Sequence, residues 1–191
     1  MNQRKLAHDI VHKTINESSY SNLLLRNSLN NIDEDNRSFI TNLVYGTLEN
    51  YYSLRYQLNG LYSKTSLYNE VILVMSLYEK FILKKEDFIT INEYVNLAES
   101  EYDKSFINAI LRKIDTYKEP KEEYIKYNLP EWIYNLLKSQ YSTDDFNKIL
   151  ENYNSKREIY YHINHNKCSF VDLQHLSINV IDDNFLLLQI I

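Results

Sequence analysis

The chain has 191 residues, 44% of them hydrophobic, which suffices to fill one good-sized core. With only 2 glycines and 2 prolines it lacks the tight turns of a β-sandwich or barrel, so a mostly helical fold is expected. The net charge of −5 excludes a polyanion binder that works through a general basic field, and any nucleic-acid contact must come from a local patch.

The first 60 residues are locally neutral, with six Lys/Arg against six Asp/Glu, while the remainder is acidic. The single cysteine, Cys168, rules out a disulfide framework and a cysteine-based zinc site, and it fits a reducing cytoplasm. The longest unbroken apolar run, residues 71–75, is far too short for a bilayer, so no membrane partner is expected.

Residues 4–16 read as a first helix with Leu6, Ala7, Ile10, Val11 and Ile15 inward and Arg4, Lys5, His8 and His12 on the outer side. A second helix passes through Leu24, Leu25 and Leu29 and stops at Asn30 and Asn31. From Asp33 the helical period runs unbroken to about Leu58, with Gly46 in the middle. Glycine there costs about 1 kcal/mol relative to alanine, so either a second helix crosses closely at that point or a partner needs the room. Residues 67–83 are apolar on nearly every face, the mark of a central buried helix.

Two helices then follow, over residues 91–98 and 106–117, joined by a short connection at 100–103 that makes them antiparallel neighbours. Polar residues flank both stripes. The expected clamp between them is a Glu93–Arg112 ion pair supported by Asn92 and Asn108. Beyond Pro120 a short polar helical stretch at 121–127 precedes a helix opened by Pro130, with Trp132, Ile133, Leu136, Leu137 and Tyr141 as its inner stripe. One more helix follows the cap at residues 143–145. After Asn154 strands are expected at 159–163, 178–181 and 185–191, with a short helix at 170–176. So short a pattern does not easily close a core, which suggests a truncated second domain.

His8 and His12 have the i, i+4 spacing of two metal ligands on a helix. However, Asp9 replaces the glutamate that a metalloprotease of that type needs, and no third ligand stands out. No stretch calls for a metal or an organic cofactor. The surviving candidates for function are cations: Arg4 and Lys5 at the start of the first helix, with Arg37, Arg112 and Lys113 as weaker choices because helix pairing explains them as well.

Five motifs carry a resemblance. Arg4 and Ala7, Asp35-x-Arg37 with Tyr45-Gly46-Thr47, Ile91-Asn92-Glu93-x-Val95, and Phe106 to Arg112 occur in an order that resembles the NusB-like domain, and Leu129-Pro130-x-Trp132 followed by Tyr141 resembles the segment that follows this domain in one branch of its relatives. The whole is most similar to the N-terminal region of Sun-type small-subunit ribosomal RNA (cytosine-5) methyltransferases. The resemblance implies an all-α, NusB-like multi-helix bundle followed by a short, incomplete α+β segment. It divides the chain into a helical RNA-binding domain at 1–118, a helical extension at 119–154 and the start of a small α+β domain at 155–191.

It further implies a non-catalytic module that positions ribosomal RNA, with Arg4 and Lys5 as the carried-over contacts. The alternative is an antitermination factor of the NusB kind that docks a ribosomal protein. Val74 and His162 stand where that family carries arginine. The glycine-rich turn and paired cysteines of its methyltransferase domain have no counterpart here, since the glycines are Gly46 and Gly60 and the cysteine is Cys168 alone.

Overall fold

The computed structural model describes residues 2–30, 32–154, 159–162, 164, 166–167, 178–180 and 185–188. The chain separates into two compact units, residues 1–141 and 142–191.

The first unit is helical. Helix α1 (Gln3–Asn16) starts where the Asn2 side chain accepts the Lys5 N–H at 3.2 Å. Helix α2 (Ser21–Ser28) leads to α3 (Glu34–Glu49), whose N-terminus is capped by Asp33 and carries Glu34 and Asp35, acids that suit the positive end of the helix dipole. The single helix expected from Asp33 to Leu58 is in fact two. At Asn50 the side-chain amide turns back to the Gly46 carbonyl (2.8 Å), and a shorter α4 (Tyr51–Tyr56) takes over. An asparagine that bonds its own preceding turn competes with the helix ladder, and hydrophobic period alone does not register this.

Helix α5 (Leu67–Leu77) is the hub. Val71 through Leu77 are all essentially without solvent contact, as the all-round apolar pattern requires. Helices α1, α3, α4, α6 and α7 all pack against it. It ends in a π-helical turn, Tyr78–Ile82, where the Leu83 N–H reaches the Tyr78 carbonyl at 3.1 Å. Helices α6 (Asp87–Val95) and α7 (Glu101–Leu111) are packed neighbours, and Ser100 caps α7 by accepting the Asp103 N–H at 3.1 Å.

The remainder of this unit is stapled to α4. Gln57 donates to the Lys118 carbonyl (2.9 Å) and accepts its N–H (2.8 Å), and the Asn128 side chain accepts the Ser53 N–H (2.9 Å). The short α8 (Glu123–Lys126) and then α9 (Glu131–Gln140) follow. In α9 the expected inner stripe is half-buried at Ile133 and Leu137 and is corrected at its other positions. Tyr134 is the buried residue, bonded to Glu123, while Trp132, Leu136 and Tyr141 are exposed. A ten-residue helix lying at the margin of a bundle buries the residues its neighbour reaches, and apolar spacing does not identify them.

In the second unit, α10 (Thr143–Asn154) is capped by Ser142, which accepts the Asp145 N–H. Three short strands, β1 (Ile159–His162), β2 (Ile178–Val180) and β3 (Phe185–Leu188), pair antiparallel in the order β1-β3-β2. Leu188 stands opposite both Ile159 and Ile178. The helix expected at 170–176 and Cys168 fall outside the described residues. Among the described residues no helix is long and apolar enough to cross a membrane.

Candidate functional site

Glu79, in the π-helical turn after α5, has no solvent contact. A carboxylate in that position needs both a counter-charge and hydrogen bonds. Arg4 supplies them from α1, with Nε 2.8 Å from Oε1 and Nη2 2.8 Å from Oε2, a two-pronged bond that matches the guanidinium fork to the carboxylate. The Tyr94 hydroxyl of α6 donates to Oε1 at 2.8 Å. The guanidinium also lies 5.3 Å over the Phe39 ring and 3.6 Å from Glu93. Burial is the largest single influence and works against the charge on Arg4, but the hydrogen bond to Glu79 and the attraction of Glu79, Tyr94 and Glu93 together outweigh it and hold the guanidinium pKa above its ordinary value. Burial, reinforced by the neighbouring carboxylate, pushes the Tyr94 phenol well up. One acid therefore ties α1, α5 and α6 together.

This arrangement corrects two expectations. Arg4 was expected on the outer side of α1; its side chain is only 17% exposed and is turned inward to Glu79. The Glu93–Arg112 clamp is not formed among the described residues. Glu93 faces Arg4, while Arg112 caps the end of α7 and donates from Nε to Asn108 Oδ1 at 2.9 Å. Arg112 and Asn108 are brought together, four residues apart on one helix, and Asn92 is exposed. The residue that sequence reasoning missed is Glu79. Its signal was an acid embedded in an apolar run, which implies a buried cation elsewhere.

Lys5 occupies the neighbouring position on α1. Its Nζ lies 2.8 Å from Asp9 Oδ1 and 2.9 Å from the Tyr68 hydroxyl, with the side chain 42% exposed. Partial burial opposes its charge, and the bonds to Asp9 and Tyr68 raise its pKa overall.

His8 was expected to extend this face. It is instead fully buried, with the Tyr68 ring 4.2 Å away edge-on and Nε2 3.0 Å from the Tyr68 carbonyl. Since a carbonyl only accepts, that nitrogen carries the proton. Desolvation lowers the His8 pKa against opposing pulls from the Tyr68 carbonyl and Asp9. A depressed folded-state pKa means the unfolded chain takes up the proton first. The stabilisation is therefore complete above the unfolded value of about 6.5 and is lost as pH falls from there through the folded value. Urea midpoints of the wild type are expected to drop over that window, while His8→Gln is less stable but flatter. Parallel curves for the two proteins would refute the assignment.

The remaining candidates are scattered. Arg37 is exposed and closes the turn between α2 and α3, with Nε bonded to the Ile32 carbonyl (2.5 Å). It borders a groove of about 540 Å³ with Tyr45, Gly46 and Tyr78. Arg112 lines a different groove with Phe88 and Asp115. Lys113 is exposed and makes no side-chain hydrogen bond or ion pair with a described residue. Among the described residues no group of three or more His, Cys, Asp or Glu side chains is gathered as for a metal ion. What these cations offer is charge for contact with an anion.

Comparison with known proteins bears on the same region. Residues 1–116 match the sequence model of the NusB family. Over 132 residues the chain is 33% identical to the probable ribosomal RNA small subunit methyltransferase B of Bacillus subtilis (strain 168). That match covers 64% of this chain and 30% of the relative's length.

Proposed function

The chain belongs to the NusB family, and from that premise we propose that it is an RNA-binding module that holds ribosomal RNA and performs no chemistry of its own. The observation that carries this reading is the 33% identity, over 132 residues, of this NusB-family chain to a protein named as a probable ribosomal RNA small subunit methyltransferase. The absence of catalysis rests on the sequence, which has two glycines, Gly46 and Gly60, and no glycine-rich loop through which backbone could approach a methyl donor. In this reading residues 1–118 are the part that holds RNA. Cytoplasmic residence follows from such a substrate.

With Arg4 committed to Glu79, Lys5 and Arg37 are the cations of choice for phosphate contact. A few such contacts make affinity fall steeply with salt, with a slope in log–log form of about 0.7 to 0.9 per phosphate neutralised. Lys5→Ala is expected to weaken binding of a small-subunit ribosomal RNA fragment and to flatten that slope by roughly one contact. The same preparation is expected to transfer no methyl group from S-adenosylmethionine to the fragment. Failure of the wild type to bind the fragment at low salt, or methyl transfer by it, would overturn the reading.

A further inference from the structure

The surface between α4, α8 and the start of α9 is unlike the rest of the first unit. Tyr52, Tyr56, Tyr124 and Trp132 converge there on a groove of about 490 Å³, with Arg55 and Asn59 among its polar lining. The residues that staple the segment after Lys118 to α4, Gln57 and Asn128, also fix this juxtaposition. Trp132 is 68% exposed and joins the three tyrosines in one aromatic patch, and such a contiguous patch, unlike a lone exposed ring, marks an interaction site. From these observations we propose that the groove stacks unpaired nucleobases of a bound RNA. This deepens the RNA-binding reading above and rests on it.

The chemistry of the lining favours a nucleic acid over an apolar peptide. Four aromatic side chains supply flat π faces, and the only branched aliphatic side chain in the lining is that of Ile125. Flat rings accept flat bases of any sequence, whereas a peptide's aliphatic anchors need an aliphatic pocket. Hydrogen-bonding capacity points the same way. Arg55 spends its Nε on Glu70 at 2.9 Å, while no described side chain bonds its Nη nitrogens, and the side chain is 56% exposed. A guanidinium so placed can meet a phosphate or stack on a base. Asn59 offers a donor and an acceptor, and the Glu131 carboxylate accepts from the amino groups that base edges carry. Duplex RNA keeps its bases stacked and out of reach, so the groove is selective for loops, bulges and single strands.

Trp132 is the sole tryptophan, so its fluorescence reads occupancy of this groove directly. The full 191-residue chain is titrated with a small-subunit ribosomal RNA hairpin bearing an unpaired loop, and with a fully paired duplex of the same composition, while binding is followed independently by anisotropy of a label on the RNA. The hairpin is expected to quench the tryptophan and the duplex to leave it unchanged. Trp132→Ala is expected to lose about tenfold in hairpin affinity, and Trp132→Phe to recover most of it. Both variants should melt with the wild type, since the ring is exposed. Hairpin binding that neither quenches Trp132 nor weakens in Trp132→Ala would overturn the stacking site and leave the RNA reading standing. A wild type that binds neither RNA would sink the RNA reading, and this inference with it.

Discussion

Arg4→Ala is expected to lower the free energy of unfolding by about 3 kcal/mol, the low end of the cost of breaking a buried pair. The substitution takes its counter-charge from Glu79, which has no solvent contact in the native fold, and leaves it the Tyr94 hydroxyl as its side-chain partner among the described residues. The low end applies because water reaches part of the guanidinium, which is 17% exposed. Arg4→Lys is expected to fall between wild type and Arg4→Ala, since it restores the charge without the two-pronged fork. Lys5→Ala, next along the helix and half in solvent, is expected to change stability by no more than about 0.5 kcal/mol. Replacing the pair together, Arg4→Met with Glu79→Met, is expected to recover most of the loss, because no orphaned charge remains. Urea unfolding at constant m-value reads all four. An Arg4→Ala protein with the wild-type midpoint would show that the pair is ornamental. The comparison also separates roles on α1: a cation used for the fold moves stability, and one used for RNA moves affinity and its salt slope.

The bundle itself was legible, because its cause is local. Apolar residues recur every three to four positions along α1, α3 and α7, and the all-apolar stretch that became α5 could only be a hub. What periodicity cannot supply is the identity of the neighbour facing each helix. Arg4 and His8 lie on what a helical wheel makes the polar side of α1, yet Glu79 and Tyr68 meet them there and turn that side inward. The acid that receives Arg4 was hidden because it stands in a stretch that is apolar on nearly every face, where a helical wheel marks no polar side. Glu93 was rightly placed on a helix packed against α7, but the guanidinium within its reach came from α1. Trp132 shows the converse error, an apolar spacing that marks surface because no described residue covers it.

Gly46 was legible in advance and gives the second large effect. Its position in the middle of α3 implied a close crossing or room for a partner, and the structure shows what crosses: an alanine Cβ there would lie 2.0 Å from the Tyr78 hydroxyl oxygen and 2.1 Å from the ring carbon that bears it. Two terms oppose each other in Gly46→Ala. The helix gains about 1 kcal/mol from replacing glycine. Against this, the Tyr78 ring must swing away, abandoning its 2.6 Å bond to Asn42 and its burial, an overpacking cost near the upper end of about 1–3 kcal/mol. The clash wins, and a net loss of about 2 kcal/mol is expected. Because Tyr78 opens the π-helical turn that carries Glu79, displacing it also loosens the seat of Arg4. A double-mutant cycle makes the cause explicit. In a Tyr78→Leu background the smaller side chain leaves room for the methyl group, so Gly46→Ala should cost far less there, with a coupling of about 1–3 kcal/mol between the two sites. If Gly46→Ala instead raised the urea midpoint of the otherwise unchanged protein, helix propensity would have prevailed and the close crossing would have no energetic weight.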